Sequence, residues 1–75
     1  MRTLRQLGRG ETGTVVEVRG EDAVAIRLME MGITEGESMT FRGAAPLGDP
    51  LEFLLRGYHL SLRASEADRV VISES

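Results

Sequence analysis

The 75-residue sequence contains no cysteine, no lysine and no tryptophan, and only one tyrosine and two phenylalanines. Without cysteine, neither a disulfide framework nor a thiolate metal site can brace a small core, and a reducing compartment fits best. Without lysine, the phosphate-binding pattern G-x-x-x-x-G-K-[ST] is excluded, and every one of the nine basic residues is arginine. The shortage of aromatic rings counts against a groove for proline-rich peptides and against a stacking platform for nucleic acid. Long apolar runs are missing too: the longest is residues 23–26, and nothing of signal-peptide length opens the chain. Neither membrane insertion nor export by that route is expected. Nor does one sign of charge dominate. Twelve acids stand against nine bases, mixed along the chain, for a net charge of −3. Bulk attraction to phosphate polymers is not indicated, so no nucleic-acid partner is expected.

What is present is a globular composition, 41% hydrophobic and 28% charged. Residues 1–75 read as one domain, since units seldom fall far below roughly 100 residues, and a two-domain enzyme is excluded. A domain this short buries only about 60% of the surface its open chain exposes, which limits its stability to a few kcal/mol.

Thr3 and Gln6 have capping-box spacing, with Leu4 and Leu7 as an apolar pair and Gly8 as a stop, so a single helical turn is expected there. Residues 14–19 alternate and are β-branched, a strand with Val16 and Val18 on one face. Asp22 is a good N-cap, and Val24, Leu28 and Met31 follow at helical spacing until Gly32. With Gly32 left-handed, Ile33 folds back on Leu28. Residues 23–26 alone would also suit a strand; the cap, the stop and the intervening Arg27 and Glu30 favour helix.

Glu35-Gly36 marks a turn before a strand carrying Met39 and Phe41, which Gly43 is expected to end. Residues 43–50 hold both prolines and read as an exposed loop. Two strands then flank Gly57-Tyr58. Taking those two as the turn pairs Arg56 with His59, Leu55 with Leu60, Phe53 with Leu62 and Glu52 with Arg63. Leu51, Phe53, Leu55, Leu60 and Leu62 share one face, with Leu54 the lone apolar residue on the other. Ser65 and Asp68 open a short turn, and residues 69–72 make a last strand. The expected fold is mainly β: a small SH3-like barrel of about five short antiparallel strands with one α-helix and short helical turns.

Residues 8–13 spell G-x-G-x-x-G, the dinucleotide fingerprint, but they follow a single turn and lead into a strand, where the fingerprint needs a strand before and a helix after. They read as turn glycines. His59, the only histidine, lies opposite Arg56 in this register and reads as solvated, not as a base or ligand. Glu52 and Arg63 read as a surface ion pair. No hydroxyl or carboxylate has an evident base partner, so neither catalysis, cofactor nor metal site is expected.

The segments Arg27-Leu28-Met29-Glu30-Met31-Gly32-Ile33, Gly36, Ala45-Pro46-Leu47-Gly48-Asp49-Pro50 and Gly57-Tyr58-His59-Leu60-Ser61-Leu62-Arg63 together resemble the ferrous iron transport protein A family, FeoA. The helix ending R-L-x-x-x-G, the P-L-G-D-P loop and the L-x-L-R strand stand in family order and at family distances, from Leu4 to Ile72. One departure is Ile26, where the family often has a second basic residue before Arg27; no contact of that side chain is carried over. The resemblance implies a cytoplasmic SH3-like accessory protein for the membrane transporter FeoB, whose own G domain hydrolyses nucleotide, and no catalysis in the chain itself. The same fold serves as the C-terminal domain of repressors of the diphtheria toxin repressor type. This chain begins at Met1 without a helix-turn-helix, so a free-standing form is expected.

The loop, Leu54 and the lack of site chemistry point to docking on the transporter through Arg27 and Met29 of the helix, Ala45, Pro46 and Leu47 of the loop, and Leu54. Beside this stands the reading that Pro46 and Leu47 merely plug one barrel end. A different class of function, a metal-sensing module using His59 with Asp and Glu, lacks converging ligands in the spacing. Self-association through edge strands is left open.

Overall fold

Alternating apolar residues put the strands of this chain into one antiparallel sheet. The computed structural model describes residues 2–74. Among them, β1 (Arg2–Thr3) leads into a 3₁₀ turn at Leu4–Gln6, followed by β2 (Thr12–Val18), α1 (Ala23–Glu30) and β3 (Ser38–Ala44). The hairpin of β4 (Leu51–Leu55) and β5 (Tyr58–Leu62), the short α2 (Ala64–Ala67) and β6 (Val70–Glu74) complete the order. The sheet runs β1-β6-β2-β3-β4-β5. Its outer strands, β1 and β5, would present bare edges, and α2 packs against both β5 and the 3₁₀ turn beside β1. The Thr3 hydroxyl donates to Asp68 Oδ1 at 3.1 Å, fastening that closure. This is the expected SH3-like architecture, with one strand more: β1 pairs only Arg2 with Ile72 and Thr3 with Val71, too short a run to show a period.

The core is continuous. Phe53, Leu55 and Leu62 from the hairpin meet Leu4, Val15, Leu28, Ile33, Met39 and Val70, all fully buried. Phe41 lies opposite Phe53 in the ladder, with ring centroids 5.5 Å apart and planes tilted at 49°. Gly13 in β2 is there for space: a Cβ on it would stand 2.5 Å from Ile72 Cδ1 and 3.2 Å from Ile72 Cβ.

The helix forms and ends as its residues require. Asp22 Oδ1 accepts from the Ala25 amide at 3.2 Å, and Gly32 takes φ of 99°. The Ile33 amide donates to the Leu28 carbonyl at 3.2 Å and the Gly32 amide to Met29 at 3.0 Å, the paired bonds of a Schellman ending. Thr3 and Gln6 form their turn, with the Thr3 amide donating to Gln6 Oε1 at 2.8 Å.

Four local expectations are corrected. The hairpin turn is Arg56-Gly57, not Gly57-Tyr58, so Leu55 faces Tyr58, Leu54 faces His59 and Glu52 faces Ser61. Arg56 (φ 50°) and Gly57 (φ 83°) both take positive φ, as a type I′ turn requires, and this turn suits the strand twist. The slip is by two residues, so the apolar face is unchanged. Glu52 therefore accepts from the Ser61 hydroxyl at 2.8 Å instead of pairing with Arg63, and His59 lies opposite Leu54. In β2 the pairing shifts between Val15 and Glu17, and this bulge turns Val15 into the core in place of Val16. Gly43 does not end β3, because a second bulge after Phe41 carries the strand on to Ala44. Finally, the last turn is helical from Ala64, not opened by Ser65, and the strand after it starts at Val70.

Candidate functional site

The loop between β3 and β4 is a projection closed by its own hydrogen bonds. Its sequence Ala45-Pro46-Leu47-Gly48 closes on itself, the Gly48 amide donating to the Ala45 carbonyl at 2.7 Å. Proline at the second and glycine at the fourth position are the residues such a turn favours. The Ala45 amide in turn donates to the Pro50 carbonyl at 3.0 Å, closing the loop base across a cis Asp49–Pro50 bond. Leu47 stands at the tip and is 97% exposed. An apolar side chain of that size, held out by a closed turn, gains nothing from the domain that carries it.

Hydrogen bonds run from this loop to α1 by way of α2. Asp49 Oδ1 accepts from the Ala64 amide at 2.8 Å, and Asp49 Oδ2 lies 4.0 Å from Arg63. Glu66 Oε1 accepts from the Arg63 amide at 2.8 Å while Glu66 Oε2 pairs with Arg27 of α1. Of the expected docking residues, Arg27 and the loop residues Ala45, Pro46 and Leu47 are thus linked through a common support. Met29 is not linked in this way. At about 100° per residue it lies on the opposite flank of α1 from Arg27, with Leu28 buried between them. Leu54 stands in mid-sheet between Thr40 and His59 and is half-buried, not exposed.

The structure adds two exposed apolar residues that the docking set omits. Ile26 is 50% exposed and sits one turn from Met29 (43%); Tyr58 is 45% exposed and its hydroxyl donates to the Met31 carbonyl at the end of α1. A helical wheel would have put Ile26 outward, almost opposite Leu28. A turn at Gly57-Tyr58 hides Tyr58 from the sequence pattern as a strand residue that reaches α1.

At the other end of α1, Arg69 grips Asp22 with two hydrogen bonds of 2.6 and 2.9 Å. With the Ala25 amide, they hold the Asp22 carboxyl down from 3.8 to about 2. Arg56 likewise draws the Glu37 carboxyl down, and the Gly8 amide, with help from Arg2, lowers Glu11. All three are structural pairings at the surface. No group of three or more His, Cys, Asp or Glu side chains that could hold a metal is found among the described residues. Residues 8–11 form a turn that leads directly into β2, not into a helix, and Gly13 is a strand residue instead of a turn glycine.

The sequence profile of the FeoA domain matches residues 2–74. The chain belongs to the FeoA family. It is 32% identical over 69 residues to an Fe(2+) transport protein A/Fe(2+) transporter FeoB fusion protein of Porphyromonas gingivalis. That match takes in 92% of the chain and only 8% of the fusion protein. The solution structure of a FeoA protein from Chlorobium tepidum is similar at a TM-score of 0.88 with 34% identity, covering 97% of the chain and 70% of the other. The zinc complex of Stenotrophomonas maltophilia FeoA, described as a procaryotic SH3 domain protein, gives 0.85 with 34% identity over 97% and 91%. A manganese-dependent transcriptional repressor shares the fold alone, with a TM-score of 0.88 at 17% identity, over 99% of the chain and 36% of the repressor. Among the described residues no helix of this FeoA domain is long and apolar enough to cross a membrane.

Proposed function

We propose that this FeoA domain serves ferrous iron uptake as a cytoplasmic accessory module without catalysis of its own, docking on the transporter FeoB and modulating it. Membership of the family implies the connection with ferrous iron transport; the docking rests on one observation above the others. The Porphyromonas protein joins an Fe(2+) transport protein A region and FeoB in one polypeptide, and its 32% identity to this chain covers nearly all of it. Modules fused in one organism are commonly those that meet in another. The surface offered is the rim of the loop tip and α1, in which Leu47 is the protruding contact and the Arg27–Glu66–Asp49 support holds it in place. A protruding leucine with Asp49 and Arg63 at the base of its loop suits a transient interface, where one buried apolar side chain among polar contacts sets the orientation. Co-purification of the chain with detergent-solubilised FeoB tests this, with and without GTP. Retention of the chain on the transporter supports the reading; passage through the column in both states refutes it.

A second reading, direct metal binding, has one observation in its favour: the Stenotrophomonas relative was obtained with zinc. The residues here fit it poorly, because exposed His59 faces Leu54 across the hairpin and no carboxylate pair converges on it among the described residues. Anaerobic calorimetry with Fe²⁺ separates the two readings. Micromolar binding abolished by His59→Ala would favour a sensor, and absence of heat would leave docking.

A further inference from the structure

Five arginines, Arg2, Arg27, Arg56, Arg63 and Arg69, each meet a carboxylate. Arg5, Arg9, Arg19 and Arg42 form no ion pair or side-chain hydrogen bond among the described residues, and of these four only Arg9 and Arg42 share a cleft. Both are exposed, and together with Gly10 and Phe41 they line one cleft of about 260 Å³. Three features place them there. Arg42 is the extra residue of the β3 bulge, left between the pairs Phe41–Phe53 and Gly43–Glu52, and a bulge of this kind redirects the side chain it carries. Gly43 takes φ of 138°, a conformation that favours glycine, and the Arg9 guanidinium lies against it, 2.9 Å from where a Cβ would stand. The Gly10 amide donates to the Phe41 carbonyl at 2.8 Å and the Phe41 amide to the Glu11 carbonyl at 3.0 Å, tying the Arg9 turn to β3.

Two guanidiniums facing one cleft repel each other, and an oxyanion between them turns that repulsion into charge-assisted hydrogen bonds. We propose that the cleft bounded by Arg9, Phe41 and Arg42 is an oxyanion site that receives a carboxylate side chain from an acidic segment of a partner protein. A carboxylate side chain fits better than a nucleotide. The cleft is smaller than the roughly 300 Å³ at which small-molecule pockets begin, Phe41 is already committed to Phe53, and the net charge of −3 opposes a polyanionic strand. The site lies on the Gly8–Gly10 turn and β3 and uses none of the residues proposed for the docking rim.

The test is a titration of the ¹⁵N-labelled chain at low ionic strength with a capped triglutamate peptide and, separately, with inorganic phosphate. With the peptide, saturable shifts are expected at the amides of Gly10, Arg42 and Gly43. Arg42→Gln should weaken binding about tenfold, the loss of one charge-assisted contact. Arg19→Gln, which removes an unpaired arginine lining a different depression beside Asp22 and Arg69, should change nothing. Should Arg42→Gln disturb the bulge, as its spectrum would reveal, Arg9→Gln carries the same expectation. Shifts that never saturate, or that Arg19→Gln weakens equally, would show diffuse surface charge and overturn the proposal. So would saturation by phosphate without saturation by the peptide, which would make the cleft a site for free anions.

Discussion

Arg27 of α1 pairs with Glu66 of α2, and the same Glu66 carboxylate accepts the Arg63 backbone amide. One side chain therefore holds two elements together, and through Asp49 on the Ala64 amide the loop joins them. Arg27 is half engaged before any partner arrives. The pairing fixes where the loop stands relative to α1.

Replacing Arg27 and replacing Glu66 should accordingly differ. Arg27→Ala removes one partly exposed ion pair, worth about 1 kcal/mol. Glu66→Ala also leaves the Arg63 amide without its side-chain partner, and costs more. Thermal melts followed by circular dichroism should rank wild type above Arg27→Ala and Arg27→Ala above Glu66→Ala. Equal melting temperatures for the two variants would contradict the shared role of Glu66.

The core has no spare stability. Phe53→Ala empties the centre of the sheet, a change that typically costs about 3 to 5 kcal/mol, as much as a domain of this size has in total. The variant should be largely unfolded at 25 °C by circular dichroism and by loss of dispersion in its amide spectrum. A cooperative melt within a few degrees of wild type would contradict the position given to Phe53.

Gly32→Ala tests the end of the helix. At φ of 99° a Cβ is strained, and it would meet the Tyr58 hydroxyl at 3.3 Å. The expected cost is about 1 to 2 kcal/mol, or roughly 5 to 15 °C in melting temperature for a domain of this length. An unchanged melting temperature would mean that α1 does not end in the left-handed conformation described.

How much of this was legible in the residues depends on what each element relied on. The α1 cap at Asp22, its Gly32 ending and the return of Ile33 onto Leu28 are local, and the sequence pattern carries all three. The apolar face of the hairpin was legible because a slip of two residues preserves it, while the turn itself was not. Arg56 takes a left-handed φ there with its guanidinium held by Glu37, a residue 19 positions away that no local rule connects to it. The bulges at Val16 and Arg42 were hidden for the same reason: they are set by partner strands, and they moved Val15 into the core and Arg42 to the cleft. On the rim, the loop tip was legible from its proline and glycine. The support from Glu66 and Asp49 was not, since it joins three segments that are distant in sequence.

The acid limb of stability should carry the mark of Asp22. Its carboxyl titrates near 2 in the folded chain and near 3.8 when released, so the Arg69 pairing stabilises fully above about pH 3.8 and is lost as pH falls toward 2. Glu37 and Glu11, also lowered, act in the same direction. The melting temperature of Arg69→Gln should lie below wild type by a constant margin from neutral pH down to about 4. That margin should shrink as pH approaches 2. A margin that persists unchanged at pH 2 would show that Arg69 acts by packing and not through Asp22.

The decisive measurement is a binding titration of the chain against purified FeoB in nanodiscs, wild type beside Leu47→Asp. At 97% exposure Leu47 contributes nothing to the fold, so the variant should melt like wild type. Its affinity should fall at least about tenfold, since a charge must then be buried where a leucine was. Wild-type affinity in a folded Leu47→Asp variant, together with undiminished ferrous uptake in cells, would contradict it.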